Sequence, residues 1–137
     1  MSLKCYKNFV HGEYLGNTSG KTFDVINPGT GEINYQVEEA DEGILNAALK
    51  SAQEGFLKWS AMTGAERGRI LNKAANLLRM RNDELAIIEV EDTGKPWQEA
   101  SVVDVISGAE AIEFFAGIAA SIEGNQQSLG QDFYYTR

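Results

Sequence analysis

In the run EVEDTGKP, the carboxylates of Glu89, Glu91 and Asp92 stand just before Gly94, Lys95 and Pro96. Glycine and proline together end a helix, and the carboxyl end of a helix carries partial negative charge. Acids placed there need a cationic partner or another role. Elsewhere the chemistry is sparse. Cys5 is the one cysteine and His11 the one histidine, so these residues build neither an internal disulfide nor a Cys/His zinc site. As a nucleophile Cys5 would need a base held beside it, and no motif supplies one, which leaves a structural or exposed thiol. His11 precedes Gly12 and reads as a turn residue rather than an acid–base group. Gly94-Lys95 lacks the glycine-rich loop before it and the Ser or Thr after it that a phosphate loop requires, while INPGTGE has hairpin-turn spacing. Trp59 and Trp97 read as packing residues. No two carboxylates are placed for paired acid–base work, and acids on helical faces form a solvated surface.

The chain has 137 residues, 43% of them hydrophobic, enough for one domain with a core. A net charge of -8 and a pI near 4.6 argue against nucleic acid or an anionic membrane as partner, since both select basic surfaces. Neither a long apolar run nor a basic-then-apolar leader is present, so a cytoplasmic location is expected.

The elements that position these residues follow from periodicity. KNFVHGEYL predicts a hairpin turning at His11-Gly12, and TFDVINPGTGEINYQVE a second, with Phe23 and Val25 alternating before the Asn27-to-Gly31 turn and Ile33, Tyr35 and Val37 after it. From Asp41, an expected N-cap, the period becomes helical through Ile44, Ala48, Ala52, Phe56 and Trp59. Thr63 with Glu66 forms a capping-box pattern opening a second helix through Ile70, Leu71, Ala74, Leu77 and Leu78. Asn82 is the expected cap of a third, with Leu85, Ile87 and Ile88 facing inward. A fourth, longest helix is expected from about Pro96 or Trp97 to before Gly124, with Val102, Val105, Ile106, Ala109, Ile112 and Ala116 on one stripe and Gly108-Ala109 admitting a neighbouring backbone. DFYYTR reads as an unpaired strand, either a swapped or disordered terminus or the place where a longer protein has been cut. By pattern alone this is an α+β domain without an assignable activity.

The order of INPGTGE, a strand, ALKSAQEGFLKWSAMTGAERGRILNKAANLLRMRNDELAIIEVEDTGKPWQEA and then EAIEFFAG resembles the N-terminal region of the NAD(P)-dependent aldehyde dehydrogenase superfamily across nearly the whole chain. Through VVDVISGAEAIEFFAGIAASIEG and FYYTR it looks most like the betaine aldehyde dehydrogenases. The resemblance implies a three-layer α/β parent, of which this segment is N-terminal β-hairpins, four helices and a terminal strand. Residues 1–124 would be strands and a helical layer packing on the cofactor-binding domain, and residues 125–137 the start of the strand leading to the oligomerisation element. It further implies a cytoplasmic homo-oligomer that uses NAD or NADP to oxidise an aldehyde to its acid, here betaine aldehyde to glycine betaine. Nucleic acid and membrane are not among the partners implied. The nucleophilic cysteine and base glutamate of the family would lie beyond Arg137, so this chain alone is expected to be inactive.

For the acids before Gly94 the resemblance implies a monovalent cation, K⁺ first, held by Asp92 and the backbone carbonyls of Val25 and Ile26. The alternative for Asp92 is a local cap on the amides of Gly94 or Lys95. Asp104 and Ser107, one turn apart, would face the substrate entrance, where a carboxylate attracts a trimethylammonium group; the alternative is solvated surface. A separate functional class stays open: a noncatalytic binding module that kept this framework and uses its apolar faces to bind full-length subunits.

Overall fold

The computed structural model describes residues 3–136, with Phe133 described by its backbone alone. Both expected hairpins form. Strands β2 (Asn8–Val10) and β3 (Glu13–Leu15) pair antiparallel around His11 and Gly12, whose φ angles of 56° and 85° are left-handed at both central positions. That is the backbone a tight two-residue hairpin needs, and it explains the glycine. Strands β4 (Thr22–Ile26) and β5 (Ile33–Glu38) pair antiparallel, and β1 (Cys5–Tyr6) adds in parallel to the other edge of β5. In the β4–β5 turn the Asn27 side chain accepts hydrogen bonds from the amides of Gly29 at 2.8 Å and Thr30 at 3.3 Å. The ladder pairs Val25 with Tyr35 but Ile26 with Ile33. Asn34 is therefore an extra residue, a β-bulge.

Helix α1 (Glu42–Ser60) is capped by Asp41, whose Oδ1 accepts from the Ile44 amide at 3.0 Å while its Oδ2 accepts from the Thr18 amide and hydroxyl, each at 2.8 Å. One carboxylate thus ties the strand region to the first helix. The Thr18 and Ile44 amides hold its pKa down at about 2, against an ordinary 3.8. A depressed carboxyl contributes in full only where it is ionised in both states, so the contribution is complete above about pH 4, declines below that, and is gone once pH has fallen through about 2. Thermal melts between pH 5 and 2 are expected to show this acid loss, and Asp41→Asn to flatten that part of the profile.

Helix α2 (Gly64–Met80) has the expected capping box, with the Thr63 amide donating to Glu66 Oε2 at 2.8 Å and the Glu66 amide to Thr63 Oγ1 at 3.3 Å. Helix α3 (Asn82–Thr93) departs from expectation at its start. Arg81 holds the cap position without a side-chain cap, since a guanidinium has only donors and cannot accept from the first helical amides; it grips Glu84 instead, and Asn82 inside the helix donates to the carbonyl of Ser101. The buried residue of α3 is Ala86; Leu85 is half-buried, and Ile87 and Ile88 are exposed in this chain.

The expected fourth helix begins after Pro96 but is not uniform: α4 (Trp97–Glu99) runs through a π-helical turn (Ala100–Asp104) into α5 (Val105–Ile118). Of the two small residues on α5, Ala109 is fully buried while Gly108 faces open space. The close backbone approach belongs to other glycines. A Cβ on Gly64 would strike the carbonyl of Ala119, and one on Gly68 would lie 2.6 Å from the carbonyl oxygen of Ala116. Two glycines four apart lie on one helix face, which lets α2 and α5 run antiparallel in contact. DFYYTR is not an unpaired strand, because β7 (Asp132–Tyr135) pairs antiparallel with β6 (Gln126–Leu129) through a turn carrying Gly130 at φ 82°. Arg137, its last expected residue, lies outside the described residues.

The interior is thin. Buried apolar residues are Val10, Ile44 and five alanines, while Phe56, Trp59, Leu77, Trp97, Phe114 and Phe115 are exposed along with other large apolar side chains. The accessible surface is 10432 Å², whereas a closed globular monomer of 15.0 kDa exposes roughly 7,000 Å². These helices and strands form a layer with uncovered apolar faces. Among the described residues no helix is long and apolar enough to cross a membrane.

Candidate functional site

The carboxyl end of α3 is held by the strands. Successive residues of a regular strand point to opposite faces, yet Asn34 and Tyr35 both reach this end, as the bulge permits. Asn34 Nδ2 donates to the Glu91 carbonyl at 2.6 Å and the Tyr35 hydroxyl to Asp92 Oδ1 at 2.7 Å. The Asp92 carboxylate pushes the Tyr35 hydroxyl up to about 12, from an ordinary 10.0. The Tyr35 ring packs edge-on against Tyr6, with centroids 5.0 Å apart. Gly94 caps α3 at φ 71° and closes on the β4–β5 turn: a Cβ there would sit 3.1 Å from Pro28 Cγ and 3.2 Å from the Gly29 amide nitrogen. The two motifs INPGTGE and DTGKP are therefore one joint.

Asp92 does not cap the local turn. The Gly94 amide donates to the Val90 carbonyl at 2.9 Å, and the Lys95 amide to Thr93 Oγ1 at 3.4 Å. The cap considered for Asp92 is supplied by Thr93. Of the expected cation ligands, Val25 is the rung partner of Tyr35, and Ile26 follows it across the bulge. Among the described residues no three His, Cys, Asp or Glu side chains gather as a metal cluster. A set of one carboxylate and backbone carbonyls would suit a hard monovalent cation rather than a transition metal.

A concavity lies at the start of α5, where the π-helical turn ends, with Glu89, Lys95, Asp104, Ser107 and Gly108 in its lining. Lys95 Nζ sits 2.7 Å from Asp104 Oδ2 and 3.7 Å from Glu89 Oε1. Here is a cationic partner for Glu89 near the end of α3, and it comes from the GKP that follows. The bond to Asp104 raises the Lys95 pKa above its ordinary value. Ser107 Oγ donates to the Asp104 backbone carbonyl at 3.1 Å. Asp104 and Ser107 both line this hollow, and Asp104 is already paired with Lys95. Sequence reading passed over Lys95 in this role, although a lysine within six residues of Glu89 was visible. It also passed over Asn34 and Tyr35, which carried no signal beyond strand alternation.

Among the described residues, Cys5 and His11 lie apart from these two places. Cys5 is exposed on the edge strand β1. His11 belongs to the separate β2–β3 ribbon, where its Nδ1 lies 3.2 Å from Ser51 Oγ on α1.

A family model described as "Aldehyde dehydrogenase family" matches residues 14–137. A betaine aldehyde dehydrogenase of Vibrio vulnificus (strain CMCP6) is 51% identical over 131 residues, which are 95% of this chain and 27% of that protein. The NAD⁺ complex of an aldehyde dehydrogenase from Bacillus cereus superposes with a TM-score of 0.86 at 36% identity, covering 98% of this chain and 28% of that one. An NAD-dependent aldehyde dehydrogenase from Sinorhizobium meliloti gives a TM-score of 0.83 at 32% identity, over 96% of this chain and 27% of that one. The chain therefore spans little more than a quarter of the length of the relatives it matches.

Proposed function

The chain belongs to the aldehyde dehydrogenase family, and from that premise we propose that it is the N-terminal portion of an NAD(P)-dependent enzyme oxidising betaine aldehyde to glycine betaine. The observation that carries this is the 51% identity to a betaine aldehyde dehydrogenase over 95% of the chain. NAD is the favoured cofactor, since two similar structures are named for it. In this reading residues 1–124 pack on the cofactor-binding domain and residues 125–137 begin the strand leading to the oligomerisation element of a cytoplasmic homo-oligomer. The surface of 10432 Å² supports a layer of this kind. The nucleophilic cysteine and base glutamate come from sequence after Arg137, so this chain alone has no activity; Cys5, exposed on an edge strand, is no substitute.

Asp92 with the carbonyls of Val25 and Ile26 would hold K⁺, which when bound supplies positive charge at the carboxyl end of α3, where that helix has no basic residue in its last turn. Asp104 and Ser107 would face the substrate entrance. Glu89 and Asp104 outnumber Lys95 in their hollow, a balance that suits a trimethylammonium group.

The test is NADH formation from betaine aldehyde and from a neutral aldehyde of similar size, assayed with this chain and with the enzyme that continues it. The continued enzyme is expected to oxidise both and to prefer the cationic one, and the 137-residue chain to oxidise neither. Turnover by the short chain alone would refute the division of labour; a preference for the neutral aldehyde would refute the substrate.

A further inference from the structure

Asp92 is exposed at a helix end, and a lone aspartate there samples several rotamers. Here it does not stand alone. Its Oδ1 is taken by the Tyr35 hydroxyl at 2.7 Å, while Oδ2 takes no hydrogen bond among the described residues. Tyr35 is itself fixed, by the edge-on ring of Tyr6 at 5.0 Å and by the strand ladder. Its rung partner is Val25. One rung therefore carries both an expected carbonyl ligand and the residue that holds the carboxylate ligand.

We propose that Tyr35 is a positioning residue for the cation site, its hydroxyl fixing the Asp92 carboxylate so that the free oxygen and the Val25 carbonyl are presented from a single strand rung. The inference rests on the cation reading above. It also accounts for the bulge, because without the extra residue Asn34 consecutive side chains could not both reach the end of α3. Asn34 holds the helix backbone through the Glu91 carbonyl, and Tyr35 holds the ligand side chain. Partners that orient a ligand typically change ion affinity about tenfold or more when removed.

The experiment titrates K⁺ against the melting temperature of the full-length enzyme, with tetramethylammonium chloride keeping ionic strength constant. Tyr35→Phe keeps the ring and its packing on Tyr6 and removes only the hydroxyl. Its K⁺ midpoint is expected about tenfold above that of the unaltered enzyme, with little change in the melting temperature without K⁺. Asp92→Asn should abolish the response. Asn34→Ala should lower the melting temperature without K⁺ and leave the midpoint near the unaltered value. An unaltered midpoint in Tyr35→Phe while Asp92→Asn is flat would overturn the role of Tyr35 and keep the cation. So would an Asn34→Ala midpoint displaced as far as that of Tyr35→Phe, because mere loosening of the joint would then explain both. An unaltered enzyme indifferent to K⁺ would remove the cation reading and this inference together.

Discussion

Gly68→Ala is expected to destabilise the chain by about 1–2 kcal/mol, although the same exchange in an open part of a helix stabilises it. Two effects oppose each other. Alanine lowers the cost of helical backbone by about 1 kcal/mol relative to glycine. Against that, a methyl at Gly68 would sit 2.6 Å from the carbonyl oxygen of Ala116, and a carbonyl inside a helix cannot rotate away. The α2–α5 interface must then widen, and forced overpacking costs about 1–3 kcal/mol even before the looser packing along the rest of the interface is considered. Ala75, Ala109 and Ala116 supply much of the small buried core, so widening this interface exposes a large part of it. Gly55 is the control: it lies within α1 with nothing inside 4 Å of a built Cβ. Thermal unfolding followed by circular dichroism should place Gly55→Ala above the unaltered chain and Gly68→Ala several degrees below it, with Gly64→Ala/Gly68→Ala lower still. A Gly68→Ala variant as stable as Gly55→Ala would show that the two helices do not approach this closely in solution.

The close approach was hidden in the sequence for a physical reason. Glycine in a helical window reads as a weak former, and the backbone it admits belongs to a segment 48 residues later, from Gly68 to Ala116, which no local pattern identifies. Gly108 had the same local signature and faces nothing. Signals that act over three or four residues were legible: the Thr63–Glu66 box, the Asp41 cap and the His11-Gly12 turn each form as their chemistry requires. The Asn82 cap failed because the helix starts one residue earlier than expected: Asn82 lies inside it with its Nδ2 on the Ser101 carbonyl, so its side chain does not reach the first amides. The π-helical turn has no residue signature, yet its last residue is the Asp104 that accepts from Lys95. Apolar periodicity found the faces of α1 and α3 but overstated their burial, since Phe56, Ile87 and Ile88 remain exposed in this chain. Periodicity reports which face seeks a partner and is silent on whether the partner is within the same 137 residues.

Gly94→Ala should cost about 2 kcal/mol, from two sources that can be separated. The first is conformational. At φ 71° an L-residue carries a penalty of roughly 1–2 kcal/mol that glycine does not. The second is contact, because the added methyl would lie 3.1 Å from Pro28 Cγ and 3.2 Å from the Gly29 nitrogen, close enough that the β4–β5 turn must give by a few tenths of an ångström. Asparagine tolerates the left-handed region better than alanine but brings the same Cβ, so the cost that survives in Gly94→Asn measures mainly the contact. Pro28→Ala removes one of the two obstructing atoms and leaves the Gly29 backbone in place. A double-mutant cycle of Gly94→Ala with Pro28→Ala should therefore show partial rescue, with a coupling of about 0.5–1 kcal/mol, as neighbours in contact do. Additive losses would mean that the turn and the α3 cap are independent. Coupled losses would mean that the strand turn and the helix end move as one body, which the Asn34 and Tyr35 hydrogen bonds to Glu91 and Asp92 also require. In that case the orientation of Asp92 depends on the turn as much as on its own helix.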